Sequence, residues 1–257
     1  MDRCKSIFIT GAASGIGKAT ATLFAQRGWF VGCFDIDHDG IAALRVELSD
    51  YQGMFATLDV TDRSAVGSAV KDFGSRSDGM LDLLFNNAGI DAKGAFSAMS
   101  WETIMAVVNV NLIGGLSLIH AAFPLLAATP NSLCFSTASA SAIFGTGNLA
   151  IYSATKHAIK GLTEALAVEF SPQGVRAADV LPGIIDTGML APEIKAMLPA
   201  DGPLRPLPAE DVADIVWQAY HGDKLHWYLP SELAAYDVEI TANPESTRDR
   251  RIAGGLL

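Results

Sequence analysis

Cysteine is scarce. The 257 residues contain three, Cys4, Cys33 and Cys134, far apart and without CxxC spacing. That leaves nothing from which to build a disulfide framework or a zinc ribbon, and fits buried small apolar residues in a reducing compartment. Histidine is equally uninformative: His38, His120, His157, His221 and His226 are scattered and form no ligand set, so no metal is expected. Positive charge is short, with 18 Lys and Arg against 28 Asp and Glu, a net charge of −10 and a pI near 4.8. This argues against nucleic acid or an anionic membrane as the main partner. No uninterrupted apolar run approaches the roughly 20 residues of a membrane span. No Pro, Gly or Ser-rich linker divides the chain, and no internal repeat is present. Met1-Asp2-Arg3-Cys4-Lys5 leads straight into a strand-like run, with no room for a signal peptide. The expectation is one cytoplasmic domain spanning residues 1–257.

What is present in quantity is apolar side chain. Half of the residues are hydrophobic, 18% are charged and the mean hydropathy is +0.28. In a chain without a membrane span, this points to apolar surface covered by other subunits.

Lys5-Ser6-Ile7-Phe8-Ile9-Thr10 predicts a first strand, followed at once by Gly11-Ala12-Ala13-Ser14-Gly15-Ile16-Gly17 and a helical pattern to Arg27-Gly28. A strand, a glycine turn and a helix N-terminus form a cradle for a diphosphate. Backbone N–H groups face the anion, and the glycines remove side chains that would hold it off. The alternative is a tight strand-to-helix connection. A second strand over residues 29–34 ends in Asp35, whose carboxylate would accept hydrogen bonds from the adenosine ribose and repel a 2′-phosphate. No basic residue stands at Ser14, Ile36 or Asp37, so the pattern favours NAD over NADP. The competing role for Asp35 is a capping or turn carboxylate, a description that Asp37 and Asp39 fit better.

Further strands are predicted over residues 54–58, closed by Asp59-Val60; 81–85, ending in Asn86-Asn87-Ala88-Gly89; 132–136; 175–181, ending in Pro182-Gly183-Ile184-Ile185-Asp186-Thr187; and 225–229. Helices are predicted over 62–76, 101–126, 152–170 and 209–221, and an apolar substrate flap over 187–210. Gly114 and Gly115 inside the long helix suggest a kink or the close approach of another segment. Strict alternation of strand and helix gives an α/β fold: a Rossmann-type, doubly wound parallel sheet of about seven strands with helices on both faces. Ligands then lie beyond the carboxyl ends of the strands.

Tyr152 and Lys156 lie four apart on one helix, hence on one face. A phenol has a pKa of about 10, and an ammonium at about 4 Å in a partly desolvated cleft would favour the phenolate. The alternative is a partly exposed helix on which these two residues happen to fall four apart.

With these motifs in place, the chain resembles the short-chain dehydrogenase/reductase family over roughly residues 5–230. The family's TGxxxGxG motif matches Thr10 to Gly17, its adenine-pocket acid and NNAG motif match Asp59-Val60 and Asn86 to Gly89, and its YxxxK matches Tyr152 and Lys156. Its catalytic serine falls on Ser139, with Ser141 as runner-up, and its PGxxxT motif matches Pro182 to Thr187. The fourth catalytic position is Asn111, with Asn109 as runner-up. The resemblance implies an NAD-dependent oxidoreductase acting on a secondary alcohol or ketone. Tyr152 would move the substrate proton, Lys156 would lower its pKa and hold the nicotinamide ribose, Ser139 would bind the reacting oxygen, and Asn111 would hold a water leading from Lys156 to solvent. The implied coenzyme site comprises Gly11, Ser14, Gly15, Ile16, Gly17, Asp35, Ile36, Asp59, Val60, Asn87, Ala88, Gly89, Tyr152, Lys156, Pro182, Gly183, Ile185 and Thr187.

Ser141, Ile143, Phe144, Met189 and Leu190, with Ile194, Met197 and Leu198 in the flap, suggest an apolar or bulky small-molecule substrate. Family and apolar helices together imply a homotetramer, with a dimer as the alternative. An NAD-binding redox sensor without turnover is the competing class; an epimerase or dehydratase of the extended relatives would carry a large extra substrate domain, for which 257 residues leave no room. Three features depart from the family. The last strand runs into Pro230-Ser231 rather than a Gly-Gly turn, Trp101 lies unusually far ahead of Asn111, and Asp179 stands in a strand, where it is either edge-exposed or a paired buried acid. Arg248, Arg250 and Arg251 read as a solvated tail or, alternatively, an inter-subunit contact.

Overall fold

The computed structural model describes residues 3–188, 190 and 195–254. Five strands open the parallel sheet: β1 (Ser6–Thr10), β2 (Phe30–Asp35), β3 (Gly53–Thr57), β4 (Leu83–Asn86) and β5 (Leu133–Thr137). β6 (Arg176–Pro182) and β9 (His226–Leu229) complete it, in the order β3-β2-β1-β4-β5-β6-β9. Every pairing is parallel. The order reverses between β1 and β4, which opens a crevice above their carboxyl ends. Each strand lies within two residues of its sequence prediction. A separate two-residue pair, β7 (Ile185–Asp186) with β8 (Leu207–Pro208), brackets the flap.

Helices cover both faces because the strands are apolar on both. On one side α1 (Gly15–Gln26) and α7 (Ala209–His221) bury Phe24, Val212 and Val216 against Ile7, Ile9, Val31 and Val180. On the other, α3 (Arg63–Arg76), α5 (Gly115–Ala127) and α6 (Ala150–Glu169) pack on Phe8, Phe34, Leu84 and Ala177. There Phe8 and Phe34 stack at 4.1 Å. Local chemistry sets several helix starts: Asp37 accepts from the Gly40 N–H at the head of α2 (His38–Glu47), and Asp62 accepts from Ser64 and Ala65 at the head of α3.

The long helix is α4 (Trp101–Val108) joined to α5 through a π turn, Asn109–Gly114. By length and composition alone residues 101–127 would suffice to cross a membrane, although Asn109, Asn111 and His120 interrupt the apolar run. In the fold Leu118, Ile119, Ala122 and Leu126 are buried against the sheet. The two glycines mark close approach: a Cβ at Gly114 would lie 2.8 Å from Val60 Cγ2, and one at Gly115 2.8 Å from Asn86 Nδ2.

One expectation is corrected: Cys4 is exposed, while Cys33 and Cys134 are buried. The C-terminal segment forms two helices, α8 (Leu233–Ala242) and α9 (Pro244–Ala253), on which Arg248 and Arg250 are exposed to solvent. Arg248 and Arg250 pair with Asp249 and Glu239, and the Arg251 guanidinium sits 4.9 Å from the centre of the Phe144 ring. Asp179 is fully buried and bonded to His226 Nδ1 at 2.7 Å, which decides between the two alternatives for it.

Candidate active site

A cleft of about 710 Å³ opens above the carboxyl ends of β1, β2, β4, β5 and β6. Its inner end is the glycine turn. Ser14, at the head of α1, makes no side-chain cap, and the first backbone bond back into the helix runs from Lys18 to Ser14. The N–H groups of that first turn therefore remain available to an anion. Side chains would fill the space. A Cβ at Gly11, where φ is +69°, would meet Asn87 Nδ2 at 2.9 Å, and one at Gly15 would meet Thr187 Cγ2 at the same distance. Gly17 does not line the cleft; a Cβ there would overlap the Gly11 carbonyl oxygen, so its place is the seam between turn and helix.

The floor is tied across strands. The Thr10 hydroxyl accepts from the Asn87 and Ala88 N–H groups, both at 3.1 Å. The Asn87 side chain donates to the Thr10 carbonyl at 3.0 Å and accepts from Thr137 Oγ1 at 2.9 Å. Asp35 lines the cleft at the tip of β2, with its carboxylate held by the Ala13 and Asp37 N–H groups at 3.0 Å. Ile36, Asp59, Val60, Ala88 and Gly89 line the same wall.

Ser139, Ser141, Tyr152 and Lys156 stand together at the other end. Lys156 is 4% exposed; its ammonium donates to the Thr137 carbonyl at 2.8 Å, and burial lowers its pKa to about 8. Its Nζ lies 5.5 Å from the centre of the Tyr152 ring. The expected depression of the Tyr152 pKa is absent: burial raises it, the Ser139 hydroxyl opposes that rise, and the charge of Asp91 adds to it. Ser139 Oγ also accepts from the Ser141 N–H at 3.1 Å.

Of the two candidate asparagines, Asn111 is the buried one, turned inward by the π segment. It clasps the backbone of Ile90, accepting from its N–H at 2.8 Å and donating to its carbonyl at 2.9 Å, and donates to Thr155 Oγ1 at 3.2 Å. It does not line the cleft. A Cβ on Gly89 would lie 3.4 Å from Asn111 Oδ1 and 3.5 Å from Lys156 Nζ, so that glycine keeps open the gap between the two.

The outer wall is formed by Gly183, Ile184, Ile185, Thr187, Gly188 and Leu190, with Leu149 opposite. Pro182 ends β6 and stays outside the lining. Two substrate expectations are corrected: Ile143 packs into the cluster of Ala138, Ala142, Ile159 and Leu181, and Phe144 carries Arg251, so neither faces the cleft. Met197 is exposed, and Met189 and Ile194 lie outside the described residues. The sequence reading missed Leu58, Ile90, Asp91, Lys93, Val110, Thr137, Leu149, Ile184 and Gly188 as lining residues. Ile90 and Asp91 directly follow Asn86 to Gly89, and that adjacency was the available signal. Among the described residues no group of three or more His, Cys, Asp or Glu is placed to hold a metal ion.

Known proteins share this fold. The short chain dehydrogenase family model matches residues 5–197. The cyclohexanol dehydrogenase of an Acinetobacter species is 35% identical over 220 residues, covering 82% of this chain and 86% of the relative. A Thermotoga maritima 3-oxoacyl-acyl-carrier-protein reductase is 35% identical over 72% of this chain and 76% of its own. The crystal structure of levodione reductase superposes with a TM-score of 0.82 at 27% identity, covering 91% of this chain and 100% of that one. Two further crystal structures at 26% identity hold different coenzymes. A 3-ketoacyl-acyl-carrier-protein reductase from Brucella melitensis, complexed with NADH, has a TM-score of 0.79 and covers 88% and 96% of the two chains. A short chain dehydrogenase from Burkholderia cenocepacia, in complex with NADP, has a TM-score of 0.80 and covers 88% and 95%. With its glycine cradle and its Ser139, Tyr152 and Lys156 in one cleft, the chain belongs to the short-chain dehydrogenase/reductase family of nicotinamide-dependent oxidoreductases.

Proposed function

We propose that the protein interconverts a secondary alcohol and its ketone with NAD(H) as coenzyme. The observation that carries this reading is one continuous cleft with Asp35 and the glycine turn at one end and Ser139, Tyr152 and Lys156 at the other. The residues present fit the coenzyme: the glycine positions leave a diphosphate-sized space, and the oriented Asp35 carboxylate suits ribose hydroxyls and opposes a 2′-phosphate. When bound, the nicotinamide gives or takes the hydride.

The chain's own groups handle the proton. Tyr152 donates it to the ketone oxygen in reduction and removes it from the alcohol in oxidation. The Ser139 hydroxyl holds that oxygen and stabilises its developing charge. Lys156 supplies the nearby positive charge, fixed by the Thr137 carbonyl. Asn111 holds the Ile90 segment against α6 and leaves the gap at Gly89 through which a proton can pass from Lys156 toward solvent. The apolar lining by Ile90, Leu149, Ile184 and Leu190 supports a substrate with an apolar body, such as an alicyclic alcohol. The working assembly is a homotetramer, supported by the exposed apolar residues Ile113, Leu116 and Val168.

A screen of secondary alcohols and ketones with NAD and NADP, read by nicotinamide absorbance, tests this reading. Turnover of neutral alcohols with preference for NAD is expected, and turnover confined to carrier-bound or carboxylate substrates overturns it. Tyr152→Phe should lower kcat by about 10²-fold or more while NADH still binds; near-normal turnover rejects the assigned proton donor.

A further inference from the structure

We propose that Asp91, paired with Lys93, is a specificity-determining residue that recognises a second hydroxyl on the substrate, so that the preferred alcohol is an apolar-bodied diol or hydroxyketone. The proposal rests on the oxidoreductase reading above and deepens it by naming a substrate class.

Asp91 and Lys93 line the same cleft as Ser139 and Tyr152. They are carried on a fixed segment. Asn111 clasps Ile90 on one side, and the Gly94 N–H donates to the Asn148 carbonyl at 2.9 Å on the other. The ion pair itself is loose: Lys93 Nζ stands 3.5 Å from Asp91 Oδ2, outside good hydrogen-bonding range. The Asp91 side chain is 26% exposed and that of Lys93 47%. The carboxylate thus keeps acceptor capacity toward the cavity that it lines together with Ser139 and Tyr152.

The chemistry of the pair narrows what it binds. An anionic substrate group would meet the carboxylate, and a cationic one would meet the ammonium. A hydroxyl is both donor and acceptor and can satisfy both partners at once. The remaining wall, Ile90, Leu149, Ile184 and Leu190, is apolar. A purely hydrocarbon alcohol would strip water from Asp91 without giving it a donor, and such sites discriminate against the analogue that lacks the hydroxyl.

The test compares kcat/KM for vicinal cyclohexanediol, cyclohexanol and a carboxylate-bearing cyclohexanol in the full-length wild type, Asp91→Leu and Asp91→Asn. NADH binding by fluorescence serves as the check on folding. The wild type should favour the diol over cyclohexanol by about tenfold or more. Asp91→Leu should erase that ratio, and both variants should gain on the carboxylate substrate. Asp91→Asn should also move the acidic limb of the oxidation pH profile to lower pH, because a charge that raises the phenol is gone. An unchanged diol ratio in Asp91→Leu with NADH binding intact overturns the proposal. If Asp91→Leu fails to bind NADH, the carboxylate-bearing substrate decides in Asp91→Asn, and no gain in its kcat/KM overturns the proposal. Turnover without a diol preference rejects only this inference, whereas a wild type that turns over none of the three and no other neutral secondary alcohol in the wider screen rejects the alcohol–ketone reading with it.

Discussion

Asp35 shows how little freedom a selective carboxylate has. Its two oxygens are already engaged by the Ala13 and Asp37 N–H groups, so the charge points into the cleft in one orientation. Ile36 beside it is 67% exposed and supplies no cation. Replacing both, Asp35→Ala with Ile36→Arg, removes the repulsion and adds the partner that a 2′-phosphate needs. The ratio of kcat/KM for NADP over NAD should rise by about 10²-fold or more, and a ratio within threefold of wild type would show that Asp35 does not set the preference. Asp35, Tyr152 and Lys156 were legible in the sequence because each sits at a strand end or on one helix face, and Ser139 through the spacing of the family motif it resembles. Ile143 and Phe144 were misread because nearness in sequence to Ser139 says nothing about direction. The short turn after Ser139 rotates Ile143 into a core cluster and Phe144 toward α9.

Around α6, polar groups form an anchoring network. Lys160 donates to Asp237 of α8 at 2.7 Å, and the Tyr228 hydroxyl of β9 donates to the same carboxylate at 2.6 Å. Next to it, His226 bonds Asp179 through Nδ1 and stands 3.3 Å from Glu164 through Nε2, while the second oxygen of Asp179 has no hydrogen-bond partner among the described residues. Burial raises the Asp179 pKa. Burial pulls His226 down, but the hydrogen bond and charge of Asp179 outweigh it, leaving its pKa above the ordinary 6.5. In the folded state both groups therefore hold protons that the unfolded chain releases earlier. Their contribution to stability is full at low pH and is lost as pH rises through the raised values. Asp237 works in the opposite direction: burial would raise it, Lys160 and Tyr228 lower it, and its contribution is lost as pH falls. Thermal unfolding should show Tm declining from neutral toward alkaline pH in the wild type and declining less in Asp179→Asn. Equal slopes would show that the Asp179–His226 pair does not set the dependence. The same network explains why the sequence hid the last two helices. The inward face of α8 carries Asp237 between Leu233 and Ile240, so the apolar period that marks a buried helix is broken where an ion pair replaces hydrocarbon.

For the molecule as a whole, the doubly wound parallel sheet of about seven strands was legible, because alternating strands and helices with short connections leave few topologies. What surrounds the domain was only hinted at by composition. Ile113, Leu116 and Val168, at 49%, 39% and 78% exposure, lie on the long helix and on α6, and Tyr236 and Val238 are exposed on α8. Leu116→Asp with Val168→Asp places charges into the proposed subunit contact. Sedimentation velocity should then give a smaller species than the wild type, whereas an unchanged mass would move the interface elsewhere. The ties among Thr10, Asn87 and Thr137 are made within the chain and join three neighbouring strands at their ends. The coenzyme half of the crevice is in this sense a finished mould, whereas the outer wall from Ile184 onward hangs on a two-residue ribbon. Laboratory evolution toward a new alcohol should accordingly collect its useful changes on that outer wall and leave the stitched strand ends alone.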